Sequence, residues 1–151
     1  MIVRYELFSA YISNIYRSIQ RLEREEMIKY GLTGAYAQYL VAMKRHPDGI
    51  TISELSEACD KDKAAVSRVI ANMEKKELVK RQAQNNTLYR APLFLTEQGQ
   101  QAADYITKRA KIAVQKAGEG LSELERQKFY YALGLISSNL ETIYEEGLPE
   151  S

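Results

Sequence analysis

Apolar residues recur at three- and four-residue spacings along most of the chain, and short polar interruptions cut that pattern into helices. Over residues 5–30, Phe8, Ile12, Ile15, Tyr16, Ile19 and Leu22 form one stripe and predict a long amphipathic helix. Gly31-Leu32-Thr33 ends it, with Thr33 expected to cap a second helix over 34–45. That helix carries Tyr36, Tyr39, Leu40 and Met43, and His46-Pro47-Asp48-Gly49 stops it. Thr51-Ile52-Ser53-Glu54 has the spacing of a capping box and opens a short helix with Leu55 and Ala58 expected to face inward.

Cys59-Asp60-Lys61-Asp62 then reads as a tight turn, with Asp62 as the cap of a helix over 63–76. Val66, Val69, Ile70 and Met73 form its buried side, and Ala64, Arg68, Ala71 and Lys75 fall opposite, flanked by Ser67, Ala65 and Asn72. Val79–Ala83 and Leu88–Leu95 are strand candidates around Gln84-Asn85-Asn86-Thr87, where Asn tolerates the left-handed backbone of a hairpin turn. Pro92 fits only an edge strand, which each strand of a two-stranded wing is. Thr96 is placed to cap a helix over 97–117, Gly118 and Gly120 break it, and a second capping box at Ser122–Glu125 opens the last helix, 123–146. Phe129, Leu133, Ile136, Leu140, Ile143 and Tyr144 supply its stripe. Two short helices on a turn, a basic strand pair and a new helix start describe a winged helix-turn-helix. The predicted class is mainly α with a small β-wing.

Charge changes the picture. The 151 residues suit one domain, or one with an extension, and the formal net charge is only +1. Yet Lys61–Arg90 carries +5, leaving −4 for the remainder. A local basic patch is what phosphate binding needs, because counterion release follows local charge density. Arg4 and Glu6 interrupt the apolar N-terminus, which excludes a signal peptide there, and no stretch is apolar enough to span a membrane. A single cysteine, Cys59, excludes an internal disulfide framework and suits a reducing compartment, so a cytoplasmic location is expected.

A helix entering the major groove side-on needs small residues for close approach and a few polar ones to read base edges. Ala64, Ala65, Ser67, Arg68, Ala71 and Asn72 meet that description. Arg68 suits guanine or phosphate, Asn72 suits adenine, and Ser67 suits either kind of contact. Lys61, Lys63 and Lys75 would position the helix on phosphates, and Ser53, Asn85, Asn86 and Arg90 complete the candidate DNA contacts. The partner expected from these residues is double-stranded DNA.

The segment TISELSEACDKDKAAVSRVIANMEKKELVKR (51–81), the FLTEQG at 94–99 and Gly31-Leu32-Thr33 resemble the MarR family of bacterial winged-helix regulators. The likeness spans nearly the whole chain. It implies one MarR-like chain over 1–151, with a DNA-binding lobe at 33–96 and dimerisation helices at 1–30 and 97–148. It further implies a homodimer on a palindromic operator, a repressor from which a small molecule or oxidant releases the DNA. Asp60 and Glu77 stand where the family commonly has Gly, and Thr87 and Tyr89 where its wing tip carries an Asp-x-Arg pair. The likeness also places an effector pocket between the dimer helices and the lobe. Tyr16, Tyr36, Tyr39, Met43 and Tyr105 would line it for a small aromatic effector, although each tyrosine read singly is a core or interface residue.

Other chemistry finds little footing. Cys59 reads as a small buried hydrophobe and as the sole basis for a redox response. One His and one Cys make no metal site, His46 reads as a helix-end partner, and no cofactor motif or nucleophile–base set is present. A non-enzymatic binder is therefore expected. The alternative to a DNA-binding regulator is a winged-helix module whose basic face meets an acidic protein partner.

Overall fold

A computed structural model describes residues 4–83 and 90–150 of the chain. Its elements run α1 (Arg4–Lys29), α2 (Tyr36–Lys44), α3 (Ile52–Cys59), α4 (Lys63–Lys75), β1 (Val79–Arg81), β2 (Leu93–Leu95), α5 (Glu97–Ala117) and α6 (Glu123–Glu146). The mainly helical class with a small antiparallel sheet is thus the one expected, and no described helix is long and apolar enough to cross a membrane.

Both anticipated capping boxes form. The Thr51 hydroxyl accepts from the Glu54 amide while the Glu54 carboxylate accepts from the Thr51 amide, and Ser122 and Glu125 do the same. Each box occupies two amides that a helix start otherwise leaves unpaired. Asp62 caps α4 by accepting from the Ala65 amide. Thr96 accepts from the Gly99 amide at the start of α5 and donates its own proton to the Glu77 carbonyl. That start needs glycine at 99, since a Cβ there would lie 1.9 Å from the Leu78 carbonyl oxygen.

Four local expectations are corrected. Thr33 does not cap α2 with its side chain; its carbonyl accepts from the Tyr36 amide, and α2 begins at Tyr36 through i→i+3 turns. Gly34 is pressed against α1 at Arg24, which fixes the path into that turn. In α3, Ala58 is exposed and Ser56 is buried, because the inner face is Ile52, Leu55, Ser56 and Cys59. The Ser56 hydroxyl donates to the Lys61 carbonyl and so carries its polar group inside without loss. The strands are also shorter than expected: Ala83 and Pro92 lie outside them, and Leu88 lies outside the described residues. Nor is β2 paired on one side only. Leu93 stands opposite Arg81 in β1 and exchanges both backbone hydrogen bonds with Ile50 on its other edge, at 2.8 and 3.1 Å.

The chain divides into two compact units at Ala113/Val114, within α5. The core of the first unit joins Met27 of α1, Tyr36, Tyr39, Leu40 and Met43 of α2, and Leu55 of α3. Val66, Ile70 and Met73 of α4, Leu93 of β2 and Ile106 of α5 also belong to it, each fully buried. In the second unit α6 buries no residue completely.

Candidate nucleic-acid interface

The turn between α3 and α4 sets the aim of the interface. Asp60 adopts a left-handed backbone (φ 49°, ψ 53°), reversing the chain within three residues, and Asp62 then starts α4. Aspartate is one of the few non-glycine residues that enters this region readily. At the far end Glu77 is also left-handed (φ 58°), so both positions where Gly was anticipated carry the conformation that Gly favours.

Between those turns Val66, Ile70 and Met73 are wholly buried and Val69 is partly so. Ala64, Ser67, Arg68, Ala71, Asn72 and Lys75 are exposed along the opposite side of α4, and Ala65 is half-buried at its margin. Lys61 and Lys63 flank the helix start in solvent, and Ser53 is exposed in the first turn of α3. The structure therefore places the predicted contacts of α3, the turn and α4 in one unit, all exposed except the half-buried Ala65. Asn85, Asn86, Thr87 and Tyr89 lie outside the described residues. Arg90 is exposed with a left-handed φ of 53°. It borders a hollow of about 460 Å³ together with Thr51, Ile52, Ser53, Arg81 and Ala91.

Two charged residues beside this face were not among the candidate contacts. Arg81, at the end of β1, donates to Glu74 of α4 through Nε to Oε1 at 2.8 Å and Nη2 to Oε2 at 3.3 Å. The pair bridges the turn after α4 at a separation of seven residues, which neither helix nor strand periodicity marks.

The residues named for an effector pocket do not gather. Tyr36, Tyr39 and Met43 are core residues, no more than 4% exposed, whereas Tyr16 is 58% exposed and its hydroxyl accepts from Gln20. Tyr105 stacks on Tyr30 at 4.7 Å and donates to Glu26. Glu26, itself buried, also accepts from Arg109 and Lys29 at 2.8 Å each. A small hollow of about 100 Å³ beside this cluster is lined by Leu22, Glu23, Glu26, Ile106, Arg109, Ala110, Ile112 and Ala113, and by none of the five.

Cys59 is half-buried, 3.9 Å from the Gln38 carbonyl, and burial pushes its thiol pKa up against the smaller opposing effect of Lys61. A raised pKa keeps the thiol protonated and weakly nucleophilic at neutral pH. His46 Nδ1 lies 2.9 Å from the Ala42 carbonyl at the end of α2, where it serves as a helix-end partner. Among the described residues no group of three or more His, Cys, Asp or Glu is placed to hold a metal ion.

Residues 30–86, which include the α3–turn–α4 segment, match the sequence model of the MarR family. No curated protein matches the chain. Among solved structures, a MarR family transcriptional regulator from Listeria monocytogenes, crystallised with a 26mer DNA, is 26% identical over 94% of this chain and 96% of its own, with a TM-score of 0.74. A SlyA-like transcription regulator from the same organism is also 26% identical over the same shares, with a TM-score of 0.76. A MarR transcriptional regulator from Methanosarcina mazei Go1 shares the fold at 23% identity, covering 91% of this chain and 99% of its own, with a TM-score of 0.79. A matched segment containing the helix-turn-helix, together with likeness along nearly the full length of both chains, agrees with the order of elements and the exposed face of α4. Over residues 30–86 the chain carries the sequence pattern of the MarR family, and along nearly its whole length it shares the fold of MarR family transcriptional regulators.

Proposed function

We propose that this regulator works as a homodimer on double-stranded DNA, setting one α4 in each of two major grooves of a palindromic operator. The observation that carries this reading is the exposed side of α4, where Ala64, Ser67, Arg68, Ala71, Asn72 and Lys75 face solvent while Val66, Ile70 and Met73 anchor the helix from behind. Small residues permit close approach, Arg68 reads guanine or a phosphate, and Asn72 reads adenine. Lys61, Lys63 and Lys75 neutralise phosphates and fix the register without reading sequence.

A two-fold operator calls for a two-fold protein. The large apolar residues left exposed on α1 and on α6 support self-association. Repression in the cytoplasm, relieved by a small aromatic effector, is the regulatory mode that goes with the family likeness. Tyr105 above Glu26 and the exposed Tyr16 are the aromatic groups left for such a molecule to meet, because Tyr36, Tyr39 and Met43 are committed to the core.

Fluorescence anisotropy with a labelled random-sequence duplex at low ionic strength tests the DNA reading. Salt-dependent binding is expected, and its absence overturns the proposal. With sites then selected from genomic DNA, Arg68→Ala should cost about 1–3 kcal/mol on the selected duplex and far less on the random one. Equal loss on both would show that α4 does not read bases.

A further inference from the structure

We propose that Glu74 sets specificity by holding Arg81: the two-pronged pair keeps a guanidinium at the root of the wing from acting as an indiscriminate phosphate contact. The inference rests on the DNA reading above. Glu74 lies in the last turns of α4 and Arg81 at the end of β1, so one ion pair ties the reading helix to the strand that leads into the wing. Nε and Nη2 of Arg81 meet the two carboxylate oxygens of Glu74 at 2.8 and 3.3 Å. A planar fork on a carboxylate is pre-organised and loses less side-chain freedom than a single-point pair.

The side chains are 25% and 29% exposed, shielded enough to hold the pair and open enough for a phosphate to compete for Arg81. Arg81 also borders the 460 Å³ hollow with Ser53, Thr51 and Arg90, next to the predicted contact residues. Next to the pair along the chain lie Lys75, Lys76 and Lys80, exposed and basic, and the acid Glu77, and Arg90 lines the same hollow as Arg81. Glu74 is therefore the group that subtracts Arg81 from a surface otherwise dominated by cations. Released, Arg81 would add a phosphate contact of equal strength on every sequence, raising affinity and lowering discrimination.

The test uses the full chain as wild type, Glu74→Gln, Arg81→Gln and the double variant, with anisotropy on a random-sequence duplex across a salt series. Glu74→Gln should bind more tightly than wild type, with log K against log salt steeper by about 0.9, the increment for one phosphate. Arg81→Gln should keep the wild-type slope, because its guanidinium is already withheld. The double variant should return to the wild-type slope, and Glu74→Ala, which frees Arg81 in the same way, should reproduce the steeper slope if Glu74→Gln does not fold. An unchanged slope in Glu74→Gln overturns the inference, as does a shallower one in Arg81→Gln, which would place Arg81 on a phosphate from the start. A double variant that stays steep would assign the effect to the lost negative charge alone, and also overturns it. Failure of the DNA reading is separately visible as wild type without salt-dependent binding.

Discussion

Glu26 is held in its charged form by three donors at once. Hydrogen bonds from Arg109, then Lys29, then Tyr105 outweigh the opposing cost of burial and bring its carboxyl to about 2, against 4.5 for the ordinary side chain. The sign follows directly. A carboxyl with a depressed folded-state value contributes its stability in full above about pH 4.5 and loses it as pH falls through about 2. Glu26→Gln should therefore lower the thermal midpoint at pH 7, and the gap to wild type should narrow as the pH is taken from 4.5 toward 2. Equal midpoints at neutral pH would show that the cluster does not hold α1 against α5. None of this was legible beforehand, since Glu26, Tyr105 and Arg109 lie 79 and 83 residues apart and nothing in their local pattern joins them.

At the scale of elements, α4 is defined by the two left-handed residues that bound it. A side chain with a Cβ in that region costs about 1–2 kcal/mol, less for Asp and Asn. Glu77 (φ 58°) has no such exemption, so Glu77→Gly should raise stability by about 0.5–1 kcal/mol after allowing for the extra freedom glycine brings to the unfolded chain. The thermal midpoint measures this, and a lower one would mean that Glu77 makes a compensating contact. Asp60 should gain less from the same change. These turns were readable because few residues tolerate their backbone, and the capping boxes because Ser or Thr and Glu at that spacing satisfy each other. The inward face of α3 was not readable in full. Ser56 turns inside only because the chain brings the Lys61 carbonyl to its hydroxyl, a contact that residue type does not announce. Thr33 misled for the opposite reason: it is a good cap by type, but the turn at Gly34 carries the chain on to Tyr36 before the helix starts.

For the whole molecule, the apolar stripes are the largest unsettled account. Phe8, Ile12, Ile15 and Tyr16 on α1 are 39–58% exposed, and Phe129, Ile136, Leu140 and Tyr144 on α6 are 37–91% exposed. Each helix thus leaves large apolar groups in solvent, the mark of an association surface. Sedimentation velocity at micromolar concentration should therefore report twice the 17.3 kDa chain mass, and a stable monomer would refute the dimer. Leu140→Glu should shift the population toward the monomer. The stripes were visible in the sequence as excess periodic hydrophobicity, whereas the burial of Tyr36, Tyr39 and Met43 against the exposure of Tyr16 was not, because core and surface aromatics share the same spacing.

The double pairing of Leu93 reaches beyond the fold. With Arg81 on one edge and Ile50 on the other, the strand leaving the wing is sewn to the body of the lobe at its first residue. β2 is therefore tied to the lobe through Ile50 as well as through β1. A change in β1 that loosened the Arg81–Leu93 pairing would still leave β2 held through both of its backbone hydrogen bonds to Ile50.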